Sequence, residues 1–239
     1  MRMYSVGRSR IMNLLIAILS IVGGCLLEPS IECMVSLWLS FATYEAVFNR
    51  AWAWGIILTL FVHEMGHMLA ARMVRMRTTL PIFIPFLGAV VALPETVRQG
   101  RAESAVALGG PALGGAVAGV MLAIYCWSGE ERYLFWAYLG TQFNLFNLVP
   151  CYPLDGGRIA EGISRYAWWG GILLMLVGVW LWRQPFFLLF VLVALYRYKS
   201  LVPDRQLSPC HRAWIAGCYL LLCILLGAIT MMIEGVIIN

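Results

Sequence analysis

The chain has 239 residues, of which 62% are hydrophobic and only 12% charged, with a mean hydropathy of +0.81 and a formal net charge of +5. That balance excludes an ordinary soluble domain and fits a polytopic membrane protein. The arginines stand in short segments between apolar runs, where they set topology, and no basic stretch interleaved with aromatic residues marks a nucleic-acid surface.

Met1 to Arg10 holds three arginines, and Ile11 to Leu27 is then free of charge, which suits a first spanning helix or the core of a signal peptide. Val22-Gly23-Gly24-Cys25 faintly resembles a lipoprotein cleavage site, but the apolar run continues past it and reads as an anchor. Cys33 to Phe48 is a weaker run, interrupted by Glu45, and reads as a short or tilted helix. The seven cysteines include no Cys-x-x-Cys pair and read as small buried hydrophobes, not as a disulfide framework.

Ala51 to Met73 contains the stretch on which the rest turns, His63-Glu64-Met65-Gly66-His67. Residues four apart share a helix face, so His63 and His67 can direct two imidazoles at one zinc ion while Glu64 lies beside it as a general base. A five-residue pattern with three set positions also arises by chance. Its setting argues otherwise, because polar groups inside hydrocarbon are costly and are kept for function, and the chain has only three histidines.

Arg72, Arg75 and Arg77 follow, and the positive-inside rule places them in the cytoplasm, with the motif near that surface. If both earlier segments cross, Met1 to Arg10 then falls outside despite its arginines. Thr78 to Pro94 combines three prolines with apolar, β-branched residues, which predicts a re-entrant extended hairpin whose edge could pair with an unwound peptide. Ser104 to Ser128, with Gly109-Gly110-Pro111, Gly114, Gly115 and Gly119, predicts a helix packed tightly on the motif helix.

Past Gly129-Glu130-Glu131-Arg132, the run Tyr133 to Leu154 is broken near its end by Asn147-Leu148-Val149-Pro150-Cys151-Tyr152-Pro153-Leu154-Asp155-Gly156-Gly157-Arg158. Irregular backbone at membrane depth lines cavities or ion sites. A catalytic zinc takes three protein ligands, so the two histidines need a third. Asp155 is the candidate, with Glu95, Glu103, Glu161 and His211 as competitors in more charged segments. Asn147 can donate a hydrogen bond to an oxyanion or to substrate backbone, or serve as an interhelical contact.

The motif of residues 63–67 followed by that of 147–158 resembles the site-2 protease family of intramembrane zinc metalloproteases, over roughly Ala51 to Arg165 and including Pro85-Phe86-Leu87-Gly88 and Gly109-Gly110-Pro111. The resemblance implies that His63, His67 and Asp155 bind zinc, that Glu64 is the base and later proton donor, and that Asn147 assists the substrate, with Phe86 and Gly88 as substrate-contact candidates. It also implies cleavage of transmembrane segments of partner proteins, in a prokaryotic plasma membrane. Room for a PDZ domain between residues 128 and 132, or for a nucleotide-sensing domain after residue 201, is lacking, so substrate selection does not carry over from larger members.

Tyr166 to Trp182 and Gln184 to Tyr196 read as a hairpin of short helices, and Ala213 to Ile233 as a last span with Cys210-His211 at its mouth. The expected architecture is an all-α polytopic membrane protein of about six to eight spanning or partly spanning helices with one re-entrant extended hairpin. It divides into N-terminal segments (1–50), a catalytic core (51–165) and C-terminal helices (166–239). A metal-dependent transporter and a catalytically silent partner-binding protein are the rival readings. Neither internal repeats nor paired broken helices support the first, and Glu64 argues against both.

Overall fold

The computed structural model describes residues 30–76, 78–86, 88–90, 101–164, 166–198 and 207–238. The expected first helix over Ile11 to Leu27, its cleavage-site variant, Cys25 and Glu95 lie outside the described residues.

Helix α1, Ile31–Val47, starts at Ser30, whose hydroxyl accepts from Cys33 N. The motif helix α2, Arg50–Met73, starts in the same way at Asn49, whose side chain accepts from Trp52 N. At 24 residues it is about 36 Å long, enough for a hydrocarbon core of about 30 Å. Two short strands follow, β1 at Ile82–Ile84 and β2 at Gly88–Val90, antiparallel with Phe83 opposite Ala89. The predicted hairpin is therefore present, and Phe86 at its turn adopts a φ of 63°.

Helix α3, Arg101–Ser128, is the central element, packed against α2, against α4 (Glu131–Asn147), against the short α5 (Asp155–Ile163) and against the last helix, α8 (Pro209–Ile238). Between α5 and α8, α6 (Ala167–Trp182) and α7 (Phe186–Tyr198) form the expected helical hairpin.

Small residues let α3 approach its neighbours. A Cβ on Gly109 would come within 2.5 Å of Ala70 Cβ on α2, one on Gly115 within 2.6 Å of Leu226 on α8, and one on Gly140 within 3.1 Å of Ala118. Close backbone contact thus replaces the interdigitated large side chains of a soluble core. Larger apolar side chains pack in separate clusters, among them Leu60 and Phe83 in one and Leu148, Ile159 and Leu226 in another.

Among the described residues, three helices are long and apolar enough to cross a membrane: Arg50–Met73, Ala102–Ser128 and Pro209–Ile238. The segments expected over Cys33 to Phe48 and Tyr133 to Leu154 form helices of 17 residues each, and α6 and α7 are shorter still. The reading of the cysteines holds for Cys33 and Cys151, which are buried. It does not hold for Cys126 and Cys210, which are exposed. Helical periodicity, which composition does not record, turns those two outward.

Candidate metal centre

Four polar side chains meet inside the molecule: His63, Glu64, His67 and Asp155 are each 6% exposed or less. The two histidines come from the middle of α2, one turn apart. Asp155 is the first residue of α5, reached through the proline-bearing loop that ends α4. Pro150 and Pro153 keep residues 148–154 from continuing α4, so the chain turns and restarts with its carboxylate facing α2.

The geometry is a triangle. His63 Nε2 lies 3.0 Å from His67 Nε2, and Asp155 Oδ2 lies 3.0 Å from the first and 3.1 Å from the second. Ligands 2.0–2.1 Å from a tetrahedral zinc ion are separated by about 3.3 Å, close to these spacings.

The hydrogen bonds behind the rings decide what the triangle needs. His67 Nδ1 donates to the Val106 carbonyl at 2.8 Å, and a carbonyl can only accept. His63 Nδ1 donates at 2.8 Å to Asn144 Oδ1, whose own amide nitrogen donates to the Gly140 carbonyl and so keeps the oxygen turned toward the ring. Both imidazoles, when neutral, therefore present lone pairs at Nε2. Asp155 Oδ2, which receives no hydrogen bond, presents a third. With both imidazoles neutral, three buried acceptors about 3 Å apart repel unless a cation joins them. This donor set fits zinc.

Helix α3 forms the floor of the site. A Cβ on Gly110 would strike the His67 ring and come within 2.9 Å of His63 Cε1, and one on Gly114 would come within 2.7 Å of Asn144 Cγ. Pro111 has no N–H for the Ala107 carbonyl, and at that same turn Val106 gives its carbonyl to His67.

A cavity of about 600 Å³ opens from the triangle. Glu64, Asn147 and Arg158 line it, as do Phe86, Gly88 and Ala89 of the hairpin and Phe186 and Phe190 of α7. Asn147 donates one amide hydrogen to the Phe143 carbonyl at 3.0 Å and keeps the other.

The hairpin is held by α1: Ser36 Oγ accepts from Phe83 N at 3.1 Å, and the Tyr44 hydroxyl accepts from Phe86 N at 2.9 Å, with the two aromatic rings edge to face. Because Phe83 N points at α1, Phe83 and Ala89 form the non-hydrogen-bonded pair of the ladder. The N–H and C=O of Ala89 then point away from β1, on the edge that borders the cavity.

His63, Glu64, His67 and Asp155, with Asn147, Phe86 and Gly88, all lie at this cavity. Of the competing third ligands among the described residues, His211 lies beside a separate apolar pocket with Cys210 and Trp214, and Glu103 and Glu161 do not border the cavity. Asn144 escaped the sequence reading. Its one signal was an amide a single turn before Asn147 on an apolar helix.

The model for peptidase family M50 matches residues 51–132, which contain the motif helix, the hairpin and all of α3. Over residues 51–132 the chain is similar to peptidase family M50. The family expected from the motifs and the family matched are the same. The matched segment supplies His63, Glu64 and His67, whereas Asn144, Asn147 and Asp155 come from the chain just after it.

A zinc metalloprotease of Methanocaldococcus jannaschii, MJ0392, is 25% identical over 128 residues, which is 49% of this chain and 37% of that protein. The chain thus spans well under half of the length of that relative. A solved site-2 protease structure from the same organism aligns over 74% of this chain and 89% of its own, with 17% identity and a TM-score of 0.44.

Proposed function

We propose that the protein is a membrane-embedded zinc endopeptidase that hydrolyses peptide bonds in or near transmembrane segments of other proteins. One observation carries the reading: three converging acceptors on a buried histidine–histidine–aspartate triangle, with a carboxylate one residue from the first histidine in the same cavity.

His63, His67 and Asp155 would hold the metal. When bound, zinc supplies Lewis-acid polarisation of a carbonyl and acidifies water. Glu64 faces the cavity and is placed to take a proton from the attacking water and return it to the leaving amine. The free amide hydrogen of Asn147 is available to the carbonyl oxygen as charge develops on it.

Peptide bonds of a substrate helix are satisfied internally, so a span must unwind before it can be cut. The outward N–H and C=O of Ala89 offer replacement hydrogen bonds to the unwound strand, which makes the hairpin edge the docking strip and puts Phe86 and Gly88 beside the peptide. Aromatic side chains from α1, α4 and α7, among them Tyr44, Phe143 and Phe186, line the cavity.

The full membrane arrangement we infer has about six to eight spanning or partly spanning helices. The catalytic core covers 51–165 between N-terminal (1–50) and C-terminal (166–239) segments. Arg72 and Arg75 at the end of α2 support a site nearer the cytoplasmic face of a prokaryotic plasma membrane.

The test is cleavage of single-span proteins co-expressed with the wild type or with Glu64→Gln. The wild type is expected to yield a shortened product that Glu64→Gln does not, while both retain zinc by metal analysis. A broad substrate panel giving identical products with both proteins would refute the reading.

A further inference from the structure

Five ionisable side chains of the histidine, acid or arginine kind border the central cavity, and the proposed mechanism uses four of them: His63, Glu64, His67 and Asp155. Arg158 has no part in it. It stands one turn beyond Asp155 on α5, on the same side of the helix, and is half-buried. Among the described residues its guanidinium makes no hydrogen bond and no ion pair.

Arg158 feels the Glu64 carboxylate across the cavity, but a guanidinium whose N–H groups are unused beside a largely aromatic and aliphatic cavity is costly, so such a group is retained where something brings it a hydrogen-bonding partner. A divalent cation in the triangle is balanced by Asp155 and Glu64, and Arg158 leaves the cavity with an excess of positive charge. The partner it lacks is an anion. Its planar fork of N–H groups matches a carboxylate by two parallel hydrogen bonds.

We propose that Arg158 binds a carboxylate carried by the peptide in the cavity, which selects segments with an acidic group close to the bond to be cut. This rests on the protease reading above. The carboxylate can belong to an aspartate or glutamate side chain or to a chain end, since both present the same two oxygens. The function of Arg158 is thus specificity, separate from the metal ligands and from the base.

The test uses the full chain carrying Glu64→Gln, zinc-loaded in detergent, so that peptides are held without being cut. The probes are fluorescent peptides of leucine and alanine with one Glu, or one Gln, placed at successive positions, each made with a free and with an amidated C-terminus. At one or two adjacent positions the Glu peptide is expected to bind about tenfold or more tightly than its Gln partner. Adding Arg158→Gln should remove that ratio, and Arg158→Lys should keep part of it. A ratio that follows the free C-terminus instead of the Glu position supports recognition of a chain end.

Equal binding of all acidic and neutral probes to the protein with Arg158 intact, no binding of any acidic probe, or a ratio that survives Arg158→Gln would each overturn the proposal. The comparison with Arg158 intact needs no further variant and decides the matter if Arg158→Gln fails to fold or to hold zinc. Cleavage by the wild type is scored apart: carboxylate preference in binding without any cleavage would leave Arg158's role standing and remove the protease reading.

Discussion

Asn144 and Asn147 stand one helical turn apart on α4 and serve different ends. Asn144 is fully buried and accepts from His63 Nδ1, which sets the tautomer of a metal ligand. Asn147 borders the cavity with an amide hydrogen to spare. Their substitutions should therefore separate. Asn144→Ala is expected to weaken zinc binding about 10–100-fold, whereas Asn144→Asp, which still accepts from the ring, should bind nearly as the wild type does. Competition against a zinc-chelating dye measures both, and wild-type affinity in the alanine variant would show that His63 is oriented by other means. Asn147→Ala should keep its zinc and lose about 10²–10³ in kcat, which is the cost of one lost oxyanion donor. Single-turnover kinetics at saturating substrate checks it, and loss confined to KM would assign Asn147 to binding alone.

Two elements shape the site by what they lack. Helix α3 lacks side chains where it meets the imidazoles, so Gly110→Ala must displace one ring or the other, at a cost of about 1–3 kcal/mol. Gly119→Ala on the same helix meets only Ile229 Cδ1 at 3.6 Å, an ordinary contact. The expected result is zinc-deficient protein from the first and zinc-replete protein from the second; equal zinc content would mean that the α2–α3 contact yields more easily than close packing predicts. Among the described residues, the hairpin has no third strand beside β2. Ala89→Pro removes the outward N–H without touching the ladder pairs on either side, and should abolish cleavage of spanning substrates while leaving zinc content unchanged. Undiminished cleavage by Ala89→Pro would mean that substrate does not dock on this edge.

For the molecule as a whole, the triangle ties α2 to α5, two elements separated in sequence by more than eighty residues, so bound metal is also a cross-link. Zinc at about 100 times its Kd adds roughly 2.7 kcal/mol to the stability of the folded form. Chelation in detergent should therefore lower the Tm, and zinc should restore it. The His67→Ala variant should start from the lower value and not respond to zinc. A Tm indifferent to chelator in the wild type would mean that zinc does not bind the triangle.

How much of this was open to a reader of residues alone follows from the range over which each signal acts. Helical spacing is local, so the pair His63 and His67, with Glu64 beside it, could be read directly. The breaks at Pro150 and Pro153 are local too, and they pointed to Asp155. Glycines at 109, 110 and 114 announced close packing, and the prolines between 81 and 94 announced the hairpin. Three things depended on the fold. Asn144 became the partner of His63 only because α4 crosses α2 at that height. Ala89 came to turn its N–H and C=O away from β1 only because Ser36 takes the other side of β1. Arg158 came to border the cavity only because α5 turns that side toward α2. Covalent order and periodicity decide which groups a chain can present on one face, but the pairing of groups from different helices is set by how their surfaces pack, and that information exists only once the backbone has been brought together.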